Sequence, residues 1–273
     1  MIKYQILWGE YINKGRIIML FAKPGEYEPC GIFTKEHFEL IIITIVGIAI
    51  ALKHTAKKSK EEVERIIKKC TIVIWILQAI IIAFKLATGD IRDVNNYVPL
   101  YYCSLLLYAG ALSSFAKGVL KRVGDVFLAT GSIIGGIIFL IFPTTSLPTY
   151  PMLHIVSIHS FLYHGIMVYL CILVNITNYI QIKASDIKYY ATFVGIVCVL
   201  AYIINTIFNS NLMFISQNFP GSPVAILYNL TGRFFTTVAC IGQMTLPFYI
   251  VYGCKTLIER MNIKNKIKLI ERQ

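Results

Sequence analysis

Charge is scarce in this sequence, and negative charge scarcest: 15% of its residues are charged, and only 14 of 273 are Asp or Glu. With 56% hydrophobic residues and a mean hydropathy of +0.66, that scarcity excludes an ordinary soluble domain. None of the seven cysteines forms a CxxC pair, and all but Cys30 fall within or at the edges of apolar runs. A disulfide framework or zinc knuckle is therefore not expected, and most of these thiols read as small core residues. Glycine-rich phosphate loops are absent, so no metal or nucleotide cofactor is implied. The first 36 residues contain no apolar core, so no cleavable signal peptide is expected. No internal repeat and no second domain can be traced.

Long apolar runs take the place of these features. A bilayer-crossing helix needs roughly 20 apolar residues, and seven candidates are present: His37–Leu52, Cys70–Thr88, Val98–Phe115, Val126–Phe142, Met152–Asn175, Tyr189–Phe208 and Arg233–Cys254. The fold class expected is an all-α, polytopic membrane bundle of about seven transmembrane helices. The segments after spans one, three, five and seven hold 7, 3, 2 and 6 Lys/Arg, against 5 before span one and Arg92 in the loop after span two. By the positive-inside bias, the N-terminus lies outside and the C-terminus in the cytoplasm. Residues 1–36 are then an extracytoplasmic segment, 37–254 the membrane domain and 255–273 a basic cytoplasmic tail. The net charge of +12 is accounted for by inner loops lying against anionic lipid. Nucleic-acid binding would want a basic patch on a folded soluble face, which is missing. The localisation expected is the cell membrane, and the oligomeric state is left open.

Along the chain, Lys53–Lys69 reads as a basic topology-setting loop with Glu–Lys/Arg pairs. Lys85 lies near enough to the outer end of span two to snorkel. Pro99 suits the first turn of span three, or lets the chain enter the membrane before that helix begins. Gly131, Gly135 and Gly136 point to close helix packing in span four. A proline-rich turn, Pro143–Pro151, precedes span five. That span carries His154, His159 and His164 without a formal charge, and imidazole in hydrocarbon needs an explanation beyond packing. At 100° per residue, His154 and His164 are about 80° apart while His159 lies about 140° from each. They cannot converge on one point, so a three-histidine metal site is not expected. His37, Glu39, Lys85, Arg92, Asp93, Cys103, His154, His159, Asn205, Asn211 and Arg233 all fall in the outer half of the chain's spans. An outward-opening polar cavity accounts for them economically.

Cys103, just inside span three, is the candidate nucleophile, since a cysteine beside a histidine forms a thiolate–imidazolium pair suited to acyl transfer. Depth along ideal helices favours His159, at about 10 Å, over His164, at about 18 Å, as partner to Cys103 at about 8 Å. Only one of the two is expected to share the cavity of Cys103. Asn205 or Asn211 are possible oxyanion donors, or else polar caps of span six.

Three stretches carry a family resemblance: VPLYYCSLLL around Cys103, HSFLYHGIMV around His164, and NTIFNSNLMFISQNFPGSP over Asn205–Pro223. With the span count, the chain from about Phe33 to about Cys254 resembles the YwaF family of bacterial integral membrane proteins, related to animal transmembrane protein 164. The resemblance implies an acyltransferase that moves fatty acyl chains between phospholipid and lysophospholipid, with Cys103 as acyl acceptor and His164 as its base. His159 is the alternative base, and Asn205, Asn211, Arg233 and His154 are possible substrate contacts. Bacterial relatives tend to place histidine just before the cysteine, where this chain has Tyr101 and Tyr102. A lipid-ester hydrolase of the same fold is the near alternative. From a different class, a transporter or small-ligand receptor would use the outer cavity without needing the cysteine.

Overall fold

The computed structural model describes residues 19–89 and 91–270, with the backbone alone over 262–270. The remaining parts of the expected N-terminal segment and basic tail, 1–18 and 271–273, lie outside the described residues, as does Asp90. Among the described residues the regular structure is helical: α1 (Lys35–Thr55), α2 (Lys60–Thr88), α3 (Leu105–Phe115), α4 (Gly118–Ala129), α5 (Gly131–Ile141), α6 (Ile155–Ile176), α7 (Ile187–Phe208), α8 (Pro223–Thr231) and α9 (Phe235–Ile270).

Helix starts follow local chemistry. Thr34 accepts the amide of His37 at the head of α1, and Ser59 with Glu62 forms a reciprocal capping box on α2. Ser222 caps α8, with Pro223 in its first turn where a missing N–H costs nothing. Long apolar side chains remain exposed on α1, α2, α7 and α9, among them Ile42, Ile76, Val199 and Ile241. Such faces belong against lipid, where backbone groups are satisfied within each helix. The molecule is a polytopic membrane bundle.

Six stretches are long and apolar enough to cross a bilayer: α1, α2, α4 with α5, α6, α7 with its 3₁₀ lead-in, and α8 with α9. The third candidate span differs from the expectation of a full helix. Val98–Ser104 is irregular, and the helix starts only at Leu105 and lasts 11 residues. Pro99 therefore does not open a helix; it lies in an irregular, turn-containing segment that precedes the helix. The fourth span is broken at Thr130, whose φ of −131° and ψ of −78° are not helical. The side-chain amide of Asn175 donates to the freed carbonyl of Ala129 at 2.9 Å, so the break leaves that acceptor satisfied.

Helix α6 and the broken α4–α5 pair are the inner elements, and α1, α2, α3 and α7 pack around them. Alternating direction gathers the 89–104, 142–154 and 209–222 connections at one end with the start of α1. There the amides of Cys30 and Gly31 donate to the carbonyls of Tyr150 and Leu147, and the Asn211 amide donates to Asn95 Oδ1. The lysine-rich connections share the opposite end, where Arg122 pairs with Asp186 and Lys121 reaches Glu64 and Tyr179.

Candidate functional site

A cavity of about 370 Å³ opens among the connections at the first end. Asn95, Thr144 and Ser222 line it near those loops, and Gln78, Gly135 and Pro247 line it deeper. Pro247 stands twelve residues into α9, about 18 Å along the axis. Most of the remaining wall is apolar or aromatic. Its reactive and titratable side chains are Lys85 from α2, Cys103 and its neighbouring tyrosines from the irregular segment, and His159 and His164 from α6.

The irregular segment is held from several sides, as unpaired backbone inside a membrane protein must be. The Tyr163 hydroxyl donates to the carbonyl of Cys103 at 3.1 Å and the Tyr108 hydroxyl to the carbonyl of Pro99 at 3.1 Å. The Met213 amide donates to the carbonyl of Leu100 at 3.0 Å. Tyr101 donates to Asn95, while Tyr102 bonds the Tyr190 hydroxyl and the carbonyl of Gly131. Tyr190 in turn donates to the carbonyl of Gln243 at 3.3 Å. Pro247, four residues on, has no N–H to give that carbonyl, so the tyrosine takes the vacant role. Tyr101 and Tyr102 thus fix the segment that presents Cys103.

Cys103 is tied to α6 through the hydroxyl of Tyr163 and lines one cavity with His159 and His164. Counting depth from an ideal helix start does not apply to it, because no helix has begun. The Tyr163 ring that holds it is 5.4 Å from the His164 ring and 5.6 Å from the His159 ring between centroids.

The histidines have different surroundings. His164 stacks on Phe139 at 3.7 Å with the planes 7° apart, and its Nδ1 is 2.6 Å from the carbonyl oxygen of Ser160. A carbonyl only accepts, so Nδ1 carries the proton and Nε2 presents a lone pair. Nε2 is buried with no hydrogen-bond partner among the described residues, and so is Nε2 of His159. Both rings line the cavity, which corrects the expectation that only one would. Val156, His159, Ser160, Tyr163 and His164 occupy a continuous arc of about 140° on α6. The wheel forbids convergence on a point, but a wide cavity meets the whole arc.

The other expected site residues lie elsewhere. His154 caps α6 by accepting the Val156 amide, and its Nε2 donates to the carbonyl of Ala22. His37 likewise takes the Phe33 amide at Nδ1 and bonds the Leu140 carbonyl through Nε2. Asn205 accepts from Ser210 and the Leu212 amide while donating to the Leu212 carbonyl and to Ser216. Asn211 accepts the Ser216 and Gln217 amides and donates to the Gln217 carbonyl. Both asparagines staple the 209–217 connection, are consumed by it and do not line the cavity, so neither supplies an oxyanion donor there. Arg233 is exposed, its guanidinium over the Phe234 ring, away from the cavity. Gln243 was missed by the sequence reading. It donates to the Met213 carbonyl, lines the cavity and leaves Oε1 buried and unpartnered.

Among the described residues no group of three His, Cys, Asp or Glu side chains is placed to hold a metal ion. No curated protein and no solved structure matches the chain. A family model, that of the TMEM164 family, matches residues 32–252, which include every residue lining this cavity. The chain belongs to the TMEM164 family.

Proposed function

We propose that the protein is a lipid acyltransferase of the cell membrane, moving fatty acyl chains between phospholipids through a thioester on Cys103. The observation that supports this most is His164: a tautomer set by Ser160 and an unused, buried Nε2 in the cavity that Cys103 shares. That is the state a general base needs. The mostly apolar wall suits an acyl chain, and membership of the TMEM164 family is consistent with a membrane protein that acts on lipid.

In the first half-reaction, His164 Nε2 takes the thiol proton as sulfur attacks the ester carbonyl carbon. The tetrahedral intermediate collapses with cleavage of the ester C–O bond, and the imidazolium returns the proton to the departing lysophospholipid oxygen. In the second half, Nε2 takes the hydroxyl proton of an acceptor lysophospholipid. Its oxygen attacks the thioester, the C–S bond breaks and sulfur regains a proton. Water in place of the acceptor makes the enzyme a hydrolase.

Intact-protein mass spectrometry after incubation with phospholipid tests the reading. An added fatty acyl mass, removed by hydroxylamine and absent in Cys103→Ala, is the expected result. An acyl mass that persists in Cys103→Ala would sink the assignment.

A further inference from the structure

Lys85 belongs to the cavity wall rather than to a snorkelling rim. It stands one helical turn from the end of α2, half-buried, and lines the cavity together with Cys103 and His159. Among the described residues no side chain or carbonyl takes its ammonium in a hydrogen bond or ion pair. Asp93 is the nearest carboxylate by electrostatic influence, but its oxygens already accept from the Asn95 amide, Asn95 Nδ2 and Asn96 Nδ2. A half-buried ammonium with unused donors, facing a mostly apolar cavity, calls for an anionic group with several acceptor oxygens. His159 adds a second donor: Nε2, buried and unpartnered, needs only the Nε2–H tautomer to give a hydrogen bond to the same anion.

We infer that Lys85 and His159 form a phosphate subsite that holds the phosphodiester of a glycerophospholipid while its ester reaches Cys103. The subsite separates the work of the two histidines. His164, with Nδ1 committed to Ser160, is the base, and His159 is a positioning donor. It also gives the cavity a preference: glycerolipids with a phosphate next to the ester bind, and neutral diacylglycerol lacks the group that Lys85 holds. The catalytic part of the inference rests on the acyl-thioester reading, whereas the binding part does not.

Binding is therefore measured first, with the full chain in detergent and ether-linked lipids that cannot be cleaved. A dialkyl-glycerophosphoglycerol should bind the wild type, and Lys85→Met and His159→Ala should each weaken it about tenfold or more, the loss of one charge-assisted hydrogen bond. Lys85→Arg should recover most of the affinity. Dialkylglycerol should bind all four proteins alike. Equal weakening for both lipids, or none in Lys85→Met, overturns the subsite. Competition by inorganic phosphate with no binding of the ether phospholipid assigns the site to a small free anion and overturns the lipid assignment.

Acylation from phospholipid and from diacylglycerol is the second arm. Lys85→Met should raise KM for the phospholipid with little change in kcat, and leave diacylglycerol unaffected. An equal fall in kcat on both donors would make Lys85 an activator of the thiol instead. Absence of any acyl-enzyme in the wild type, with lipid binding intact, rejects the acyltransferase reading and leaves the subsite standing.

Discussion

Tyr163 donates its phenolic proton to the carbonyl oxygen of Cys103 at 3.1 Å, joining the irregular entry of the third span to the histidine-bearing helix. That bond ties the Cys103 backbone to the residue just before His164, and both Cys103 and His164 line the same cavity. Tyr163→Phe keeps the ring packing and leaves the Cys103 carbonyl with the Leu106 amide, at 3.1 Å, as its remaining donor. The expected cost is about 0.5–1.5 kcal/mol, the net worth of one hydrogen bond, seen as a lowered Tm in detergent, together with slower thioester formation. An unchanged Tm and acylation rate would show that the segment is held without it.

Removing His164 should slow acylation of Cys103 by roughly 10²–10⁴-fold, the usual contribution of a positioned acid–base group. The measurement is the rate of acyl-mass accumulation in His164→Ala. His159→Ala should retain a much faster rate at saturating phospholipid. The reverse ranking transfers the role of base to His159, and a wild-type rate in His164→Ala leaves the cysteine without a partner.

Gly136 is where α5 and α6 come closest around the site. A Cβ added there would stand 2.6 Å from Val168 Cγ2 and 3.0 Å from the carbonyl oxygen of His164. The obstacle includes the α6 backbone at His164, so relief requires the helices to part. Gly136→Ala should cost about 1–3 kcal/mol, the range for overpacking a core, and should displace His164. Thermal unfolding and the acylation rate are expected to fall together. Gly47, with nothing near its Cβ position, provides the control.

Asn205 separates a staple from a catalytic donor. Asn205→Ala removes four hydrogen bonds within the 209–217 connection and leaves the Leu212 carbonyl without that donor. Stability should drop by about 1–3 kcal/mol, while the acylation rate per folded molecule stays close to wild type. A rate loss of 10²-fold or more at full stability, the scale seen when an oxyanion donor is removed, would restore the asparagine to the chemistry.

Orientation follows from the lysine-rich end. A single cysteine introduced at Lys57 or Lys58 in the α1–α2 connection should resist a membrane-impermeant thiol reagent in intact cells and react once the cells are opened. Labelling in intact cells would invert the topology and place the cavity mouth on the cytoplasmic side.

Composition and periodicity alone determined that this is a helical membrane bundle, where most of its connections fall, and that the histidines of α6 deserve notice, while the case for Cys103 leaned on the family resemblance. Those features are local: a run of apolar residues is a span because hydrocarbon leaves the backbone no other partner. The tight glycines of α5 were legible too, since a residue without a side chain in such a run points to a close neighbour.

What only the tertiary structure decided was how polar residues at similar depth divide between scaffold and site. His37, His154, Asn205 and Asn211 are polar in the same way as His159 and His164, but the first four spend their donors and acceptors on helix ends and connections. His159, His164 and Gln243 each keep a buried polar atom unspent in one cavity. No spacing rule reports that difference for the histidines, because the partner that completes each comes from a distant part of the chain, as Ala22 does for His154 and Leu140 for His37. The late start of the third helix, at Leu105, was hidden as well: Val98–Ser104 is as apolar as a helix. Its irregular path is held by Tyr108, Tyr163 and Met213, which bond the carbonyls of Pro99, Cys103 and Leu100 from outside.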